Sequence, residues 1–169
     1  MKLILKKYKI LSSTNDKAIS LIKNDNIKPT LILSEKQKNG RGRYGKKWIS
    51  FAGNLFMTIF FKIKKNIDIS KFNKKNCIII KRSLSTVLKG IKIKFPNDLL
   101  IKKRKFCGIL QETIIHKNEK YLIIGIGINI NKSPIIIDYP TCYLNEFSNK
   151  KVDKFYICSL IKKGFEKKY

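Results

Sequence analysis

Acidic residues are scarce in this 169-residue chain, in which 11 aspartates and glutamates oppose 38 lysines and arginines, for a formal net charge of +27. An excess of this size normally suggests a nucleic-acid partner. The lysines are spread along the whole chain, however, and no zinc-finger spacing or aromatic-basic RNA-binding signature accompanies them. Lysine, isoleucine and asparagine are all abundant, as AT-rich codon usage would produce, so we expect no specific DNA binding.

The chain also has little histidine and no closely spaced pair of cysteines. With His116 as the one histidine, we expect neither a Ser-His-Asp triad nor a histidine-based metal site. The four cysteines form no CxxC pair and lie in apolar contexts, which indicates reduced, buried thiols. No apolar run approaches the ~20 residues that span a membrane, and charge interrupts the N-terminus too early for a signal peptide. We therefore expect a cytoplasmic protein without membrane contacts.

The hydrophobic fraction of 43% and the length favour one globular domain over residues 1–169. Periodicity predicts a first helix that follows a capping stretch at 12–16 and stops at 24–26. A second is predicted over 70–90 with Ser70 as cap and Gly90 as stop, and a third over 153–168 with Asp153 as cap. Strands are predicted over 2–11, 30–34, 54–63, 91–94, 99–101, 106–115 and 121–131, with a hairpin turn through 102–105. This order predicts an α+β fold, a single mixed, largely antiparallel sheet with helices packed on one side.

Arginine is scarce as well, and its placement is informative. Two of the four arginines, Arg41 and Arg43, lie in the glycine loop GRGRYGKKW, residues 40–48. Glycine lets the backbone approach a ligand closely, and arginine can grip a phosphate or carboxylate with two parallel hydrogen bonds where lysine cannot. The pattern predicts an anion-binding loop, and its alternative is a solvated basic loop.

Three other stretches combine residues that carry chemistry. Ser13-Thr14-Asn15 offers polar groups at a strand-to-helix junction, although a plain helix cap would have the same sequence. A hairpin between FPND at 95–98 and KFCGILQE at 105–112 places an acid and a lysine at its two ends, where an ordinary turn is the alternative. GIGININ at 125–131 is a strand with bare backbone, which by itself is weak evidence of a site.

In this order, STN, GRGRYGKKW, KFPNDLL, KFCGILQE and GIGININ closely resemble the catalytic domain of biotin protein ligases over residues 3–131. The resemblance implies the class II synthetase-like fold of that family and an activity in two steps. Biotin and ATP, with Mg²⁺, form biotinyl-5′-AMP and pyrophosphate. The biotinyl group then passes to a lysine of the biotin carboxyl carrier protein of acetyl-CoA carboxylase.

The resemblance also implies roles for individual residues. Biotin contacts are expected from Ser13, Thr14, Asn15, Gln37, Gly40, Arg41, Arg43, Lys105, Gly108 and Gly125. Nucleotide contacts are expected from Arg41, Arg43, Trp48, Asn97, Lys105, Gly127 and Asn129, although Trp48 is equally suited to pack beneath the loop. Catalytic roles fall to Lys105, Arg43 and Asp98, with Asp98 also the candidate Mg²⁺ ligand. The loop is expected to be mobile without ligand and to close over the adenylate.

Some features depart from the family or leave alternatives open. Phe95 replaces the usual tryptophan and Lys46 a frequent arginine, and neither an N-terminal DNA-binding domain nor the small C-terminal domain of many members is expected. The alternatives are a lipoate or octanoate ligase on the same fold, and a catalytically degenerate basic binding protein. A homodimer paired through a sheet edge is a further expectation, and the positive charge is either compositional drift or a means of steering an acidic carrier.

Overall fold

A computed structural model describes all of residues 1–169, and seven strands and three helices account for most of them. The strands are β1 (Ile4–Leu11), β2 (Thr30–Gln37), β3 (Leu55–Ile63), β4 (Lys92–Lys94), β5 (Asp98–Ile101), β6 (Arg104–His116) and β7 (Glu119–Ile128). The helices are α1 (Thr14–Lys23), α2 (Ile69–Leu84) and α3 (Lys154–Lys168), with short 3-10 turns at Arg43–Gly45 and Leu144–Glu146. None of the helices is both long and apolar enough to cross a membrane.

All seven strands join one sheet in the order β1-β2-β3-β7-β6-β5-β4. Only β1 and β2 run parallel, joined through α1, and every other neighbouring pair is antiparallel. The predicted α+β class and mixed, largely antiparallel sheet are therefore confirmed.

The predicted placement of the helices on one side of the sheet is wrong. In β2, Leu31 and Leu33 belong to the large core beneath α2 and α3, whereas Ile32 belongs to a second core with Ala18 and Ile22 of α1. Successive strand residues point to opposite faces, so α1 covers one face while α2 and α3 cover the other. The physical reason is that the central strands are apolar on both faces, and each face needs a cover.

Two tight turns set the two ends of β6, and the predicted hairpin boundaries differ from them. Lys102 and Lys103, with φ of 45° and 64°, form the whole turn between β5 and β6. Positive φ at both central positions is the geometry of the tight two-residue hairpin turn. Arg104 and Lys105, predicted as part of the turn, therefore begin β6. At the other end of β6, Lys117 and Asn118 turn into β7 in the same way, with φ of 47° and 62°.

The helix ends follow local capping chemistry. The Ser13 hydroxyl accepts from the Asp16 amide and starts α1, so the cap lies within the predicted stretch 12–16. Asp68, rather than the predicted Ser70, starts α2, because its carboxylate accepts from the Ser70 amide at 2.9 Å. That helix ends at Leu84, well before Gly90, which lies with φ of 78° in the turn that leads into β4.

The sheet is open at both edges. At the β4 edge the strand is only three residues long. At the β1 edge the strand is eight residues long, and Ile10 is 53% exposed there. Lys7 and Lys9 are exposed on the same strand. An open strand presents unpaired backbone groups to solvent, so the side chains along it decide what can pair with it.

All four cysteines, Cys77, Cys107, Cys142 and Cys158, are free and buried. Burial raises the pKa of the Cys77, Cys142 and Cys158 thiols to about 11. Burial raises the pKa of Cys107 well above its ordinary value too. Reactive thiolates are therefore rare at neutral pH, which agrees with the structural role predicted from their apolar contexts.

We expect the native protein to react slowly with a thiol reagent such as DTNB. At pH 8 a thiol with a pKa of about 11 is ionised in roughly one molecule in a thousand. All four thiols should react within minutes in denaturant, and the native rate should climb as the pH rises toward 11. A native cysteine that reacts at the rate of a free peptide thiol would contradict this placement.

Candidate active site

Five separated sequence stretches meet around one cavity on the α1 face of the sheet. The cavity has a volume of about 240 Å³ and lies between the start of α1, the glycine loop and the strands β6 and β7. Of the residues predicted for the site, the following line it: Ser13, Thr14, Asn15, Gln37, Arg41, Arg43, Trp48, Asn97, Asp98, Lys105, Gly108, Gly125 and Gly127. Gly40 and Asn129 do not. Asn129 borders a smaller neighbouring cavity together with Trp48 and Lys105.

A row of polar groups is fixed where α1 begins. The Thr14 amide and hydroxyl both donate to Gln37 Oε1, at 2.8 and 3.0 Å, and Gln37 Nε2 donates to Ser50 Oγ at 3.3 Å. Gly40 closes this corner, since an added Cβ would lie 2.5 Å from the Trp48 carbonyl oxygen. The sequence folds this way because Ser13 caps the helix and leaves Thr14 and Gln37 to pair with each other.

Asn15 is buried at 3% exposure and occupies the space above Gly125. Its Oδ1 accepts from Thr58 Oγ1 at 2.6 Å, and its Nδ2 donates to Glu112 Oε2 at 2.7 Å. A Cβ on Gly125 would lie 2.3 Å from Asn15 Oδ1. The bare backbone that the sequence suggested for a ligand is thus covered here by the protein's own asparagine.

Trp48 packs in the same manner on two other glycines. In the β6–β7 register Gly108 lies directly opposite Gly127. A Cβ would lie 2.7 Å from Trp48 Cζ3 if added to Gly108, and 2.5 Å from Trp48 Cε2 if added to Gly127. The indole Nε1 is buried and has no hydrogen-bond partner. A buried donor without a partner is costly, so a movement of the indole that gave this nitrogen a partner would be favoured.

The glycine loop is a small closed hairpin. The Gly42 amide donates to the Lys46 carbonyl at 2.7 Å and the Trp48 amide donates to the Gly40 carbonyl at 2.9 Å. Its tip passes through Tyr44 and Gly45, both at positive φ, 54° and 72°. The expectation that this loop is mobile without ligand stays a prediction.

Five cations line the cavity, namely Arg41, Arg43, Lys46, Lys47 and Lys105. Lys105 and Arg43 differ in the partners that hold them. Lys105 Nζ lies 2.8 Å from Asp98 Oδ1, with side chains 15% and 19% exposed, and the contact is an ion pair whose angles fall short of a hydrogen bond. Arg43 has no carboxylate partner, since its guanidinium donates to Asn97 Oδ1 at 3.3 Å and to the Tyr44 hydroxyl at 2.8 Å. Both cations retain donors that an anionic ligand can use.

Arg41, by contrast, is already paired. Its NH1 and NH2 donate to the two carboxylate oxygens of Glu112 at 2.9 and 2.7 Å, and NH2 lies 2.9 Å from Asp16 Oδ1. Burial alone would lower the pKa of the Arg41 guanidinium, but its contacts with Glu112 and Asp16 raise it. The two loop arginines therefore differ, although the sequence suggested a shared task.

The sequence reasoning missed Glu112 and Tyr139 as parts of this site. Glu112 lies on the same face of β6 as Gly108. The signal in the sequence was an acid an even number of residues after a glycine of the site, because alternate residues of a strand share a face. Tyr139 carries no motif. Its ring lies 5.0 Å from Lys105 Nζ because Lys105 N donates to the Pro140 carbonyl at 2.9 Å and draws this segment to β6.

The donors near the cavity do not fit a magnesium ion held by protein side chains alone. No group of three His, Cys, Asp or Glu side chains converges anywhere in residues 1–169. Asp98 is engaged by Lys105, and Asp16 and Glu112 are engaged by Arg41. Asp98, the predicted Mg²⁺ ligand, therefore has no group of acids around it with which to hold the ion.

Comparison with known proteins gives one consistent family. The sequence model of the Biotin/lipoate A/B protein ligase family matches residues 8–129. A bifunctional ligase/repressor BirA of Bacillus subtilis is 32% identical over 178 residues, which cover 96% of this chain and 52% of that protein. A biotin--[acetyl-CoA-carboxylase] ligase of Mycobacterium tuberculosis is 22% identical over 83% of this chain and 54% of its own length. The chain thus spans about half the length of these relatives.

Solved structures agree with the sequence relatives. Biotin protein ligase from Aquifex aeolicus in complex with biotin and ATP superposes with a TM-score of 0.82 at 26% identity, over 97% of this chain and 69% of that one.

The seating of Asn15 above Gly125 can be tested by adding one methyl group. We expect Gly125→Ala to lower the free energy of unfolding by about 1–3 kcal/mol, because Asn15 is fastened on both sides and cannot yield. The measurement is chemical denaturation. In an Asn15→Ala background the same change should cost less than about 0.5 kcal/mol. Equal costs in the two backgrounds would contradict the contact.

Proposed function

The chain belongs to the biotin/lipoate A/B protein ligase family, and on that premise we propose that it is a biotin protein ligase. It would activate biotin with ATP to biotinyl-5′-AMP and transfer the biotinyl group to a lysine of a biotin carboxyl carrier protein domain in the cytoplasm. The name of the Mycobacterium tuberculosis relative supports acetyl-CoA carboxylase as the carrier's enzyme. The observation that carries the proposal is the convergence of Arg43 and Lys105 on a cavity whose floor is the glycine backbone of β6 and β7.

The first step brings two anions together, and the cavity's charges suit that task. The biotin carboxylate attacks the α-phosphorus of ATP, and pyrophosphate leaves. Catalysis then consists mainly of alignment and of offsetting negative charge. Arg43 can offer its planar fork, since no carboxylate holds it. Lys105 is kept in place by Asp98, which leaves part of its ammonium for the phosphate or the carboxylate.

The second step needs a stabilised oxyanion and the absence of water. The carrier's lysine amine attacks the acyl carbon of the adenylate, and AMP leaves. Lys105, which lines the cavity, can stabilise the negative charge that develops on the carbonyl oxygen. The glycine loop and Trp48 cover the cavity and would exclude water from the reactive anhydride.

The polar groups at the start of α1 suit the ureido ring of biotin. Thr14 and Gln37 are fixed by each other, and Asn15 is fixed separately by Thr58 and Glu112, so donors and acceptors of defined position lie side by side. Only six of the 21 residues that line the cavity are hydrophobic. A lipoate or octanoate ligase would need a long apolar tunnel, and this lining does not favour one.

Biotin-dependent exchange of labelled pyrophosphate into ATP tests the activity. We expect exchange with biotin and none with lipoate. Lys105→Ala should lower the exchange rate about 100- to 1,000-fold, the usual cost of removing one charge-stabilising donor. The exposed Lys103→Ala, two residues away in the β5–β6 turn, is the matched control and should exchange normally. No exchange at saturating biotin and ATP would refute the proposal, and exchange with lipoate alone would replace it.

Trp48 gives an independent test, because it is the one tryptophan in the chain. Its ring lies on Gly108 and Gly127, and the cavity of about 240 Å³ is smaller than the roughly 300–1,000 Å³ of typical ligand clefts. A ligand that reaches these glycines must displace the indole. We expect biotin to change the tryptophan emission in a saturable way. An unchanged spectrum in a protein that catalyses exchange would place Trp48 outside the ligand's path.

A further inference from the structure

Glu112 joins three parts of the fold through one carboxylate. Its two oxygens accept both N–H groups of the Arg41 fork, at 2.9 and 2.7 Å. Oε2 also accepts from Asn15 Nδ2 at 2.7 Å, and Asn15 in turn accepts from Thr58 at 2.6 Å. Arg41 belongs to the loop, Asn15 to α1, Glu112 to β6 and Thr58 to β3. One acid thus ties the loop to the helix and to two strands.

The other polar contacts between the glycine loop and the rest of the protein are single rather than bidentate. Arg41 NH2 lies 2.9 Å from Asp16 Oδ1, and Arg43 donates to Asn97 Oδ1 at 3.3 Å. The bonds between Gly42 and Lys46 and between Trp48 and Gly40 lie within the loop itself. The pair of Lys46 with Asp138 is 3.5 Å long, with side chains 67% and 69% exposed. A bidentate, charge-assisted fork is stronger and more directional than a long exposed pair. The Arg41–Glu112 fork is therefore the main polar fastening of the loop to the sheet.

We propose that Glu112 is a positioning residue that acts through Arg41 to hold the glycine loop closed over the cavity. The same pair withdraws the Arg41 charge from the ligand, so that Arg43 and Lys105 supply the positive charge at the reacting atoms. This role rests on the proposed ligase function for its chemical consequence, but not for the structural link between Glu112 and the loop.

The chemical consequence is control of water. An acyl adenylate hydrolyses when a water oxygen attacks the acyl carbon and the bond from that carbon to the AMP oxygen breaks, which yields free biotin and AMP. A loop that opens more often admits water more often. Loss of the Glu112 carboxylate should therefore divert adenylate from the carrier to hydrolysis.

The structural link is tested by limited proteolysis of the free protein. Trypsin cleavage after Arg43, quantified by mass spectrometry, reports how often the loop opens. We expect Glu112→Gln to raise this cleavage rate about fivefold, because one charged fork is lost. Arg41→Gln removes the fork from the loop side and also the contact with Asp16, so it should raise cleavage at least as much, and the double variant should not exceed Arg41→Gln.

A matched control exists elsewhere in the chain. Arg104 and Glu146 form a second two-contact fork, with side-chain exposures of 37% and 27%, the same values as for Arg41 and Glu112. Glu146→Gln should leave cleavage after Arg43 unchanged. Equal cleavage in wild type and Glu112→Gln, or an equal rise in Glu146→Gln, would overturn the proposal.

Measuring AMP formation together with biotin transfer distinguishes a failure of this proposal from a failure of the proposed ligase function. In the presence of carrier, the AMP formed in excess of the biotin transferred should be about five times larger for Glu112→Gln than for wild type, because hydrolysis draws on the same open loop. A wild type without pyrophosphate exchange would refute the ligase function and leave the proteolysis result standing. Faster cleavage with an unchanged AMP-to-transfer ratio would refute the control of water.

Discussion

The register between β6 and β7 is the constraint on which the site depends. It sets Gly108 opposite Gly127 and Leu110 opposite Gly125, on the face that α1 covers. This patch of bare backbone receives Trp48 and Asn15, and Glu112 follows on the same face one pair further along. A slip of one residue would turn every one of these groups toward α2 and α3, because strand side chains alternate between faces. A slip would also expose the large apolar core on that second face. Hydrophobic packing on one side of the sheet therefore fixes the register of the site on the other side.

Much of the fold was readable because local rules decide it. Strand and helix order followed from periodicity, and the caps at Ser13 and Asp153 were visible as side chains preceding apolar repeats. The covering of both faces was not readable in the same way. In β3 the run LFMTIFF is apolar at every position but one, and such a run does not reveal which helix covers which face. The cap of α2 was assigned two residues late because Asp68 and Ser70 are both good capping residues, and only the backbone geometry chooses between them.

For the site, too, the sequence alone predicts some features and not others. The order of the motifs identified the residues that line the cavity, because a motif is local and its spacing is preserved in the fold. The division of labour between Arg41 and Arg43 could not be read from the loop. It depends on Glu112, 71 residues away, which becomes a partner only when β6 passes beneath the loop. Tyr139 was invisible for a related reason, since it reaches Lys105 through backbone pairing that any sequence could make.

The open β1 strand gives two of the many lysines, Lys7 and Lys9, a physical consequence outside the reaction. Two copies of this strand could otherwise join edge to edge, since their backbone groups are unpaired and Ile10 is exposed beside them. Lys7 and Lys9 would bring like charges together in such a pairing. The repulsion is screened by salt over a Debye length of about 8–10 Å. These two lysines therefore disfavour pairing of one β1 strand with another, at a fibre-like contact or at the edge-paired dimer that the family resemblance suggested, and this effect weakens as ionic strength rises.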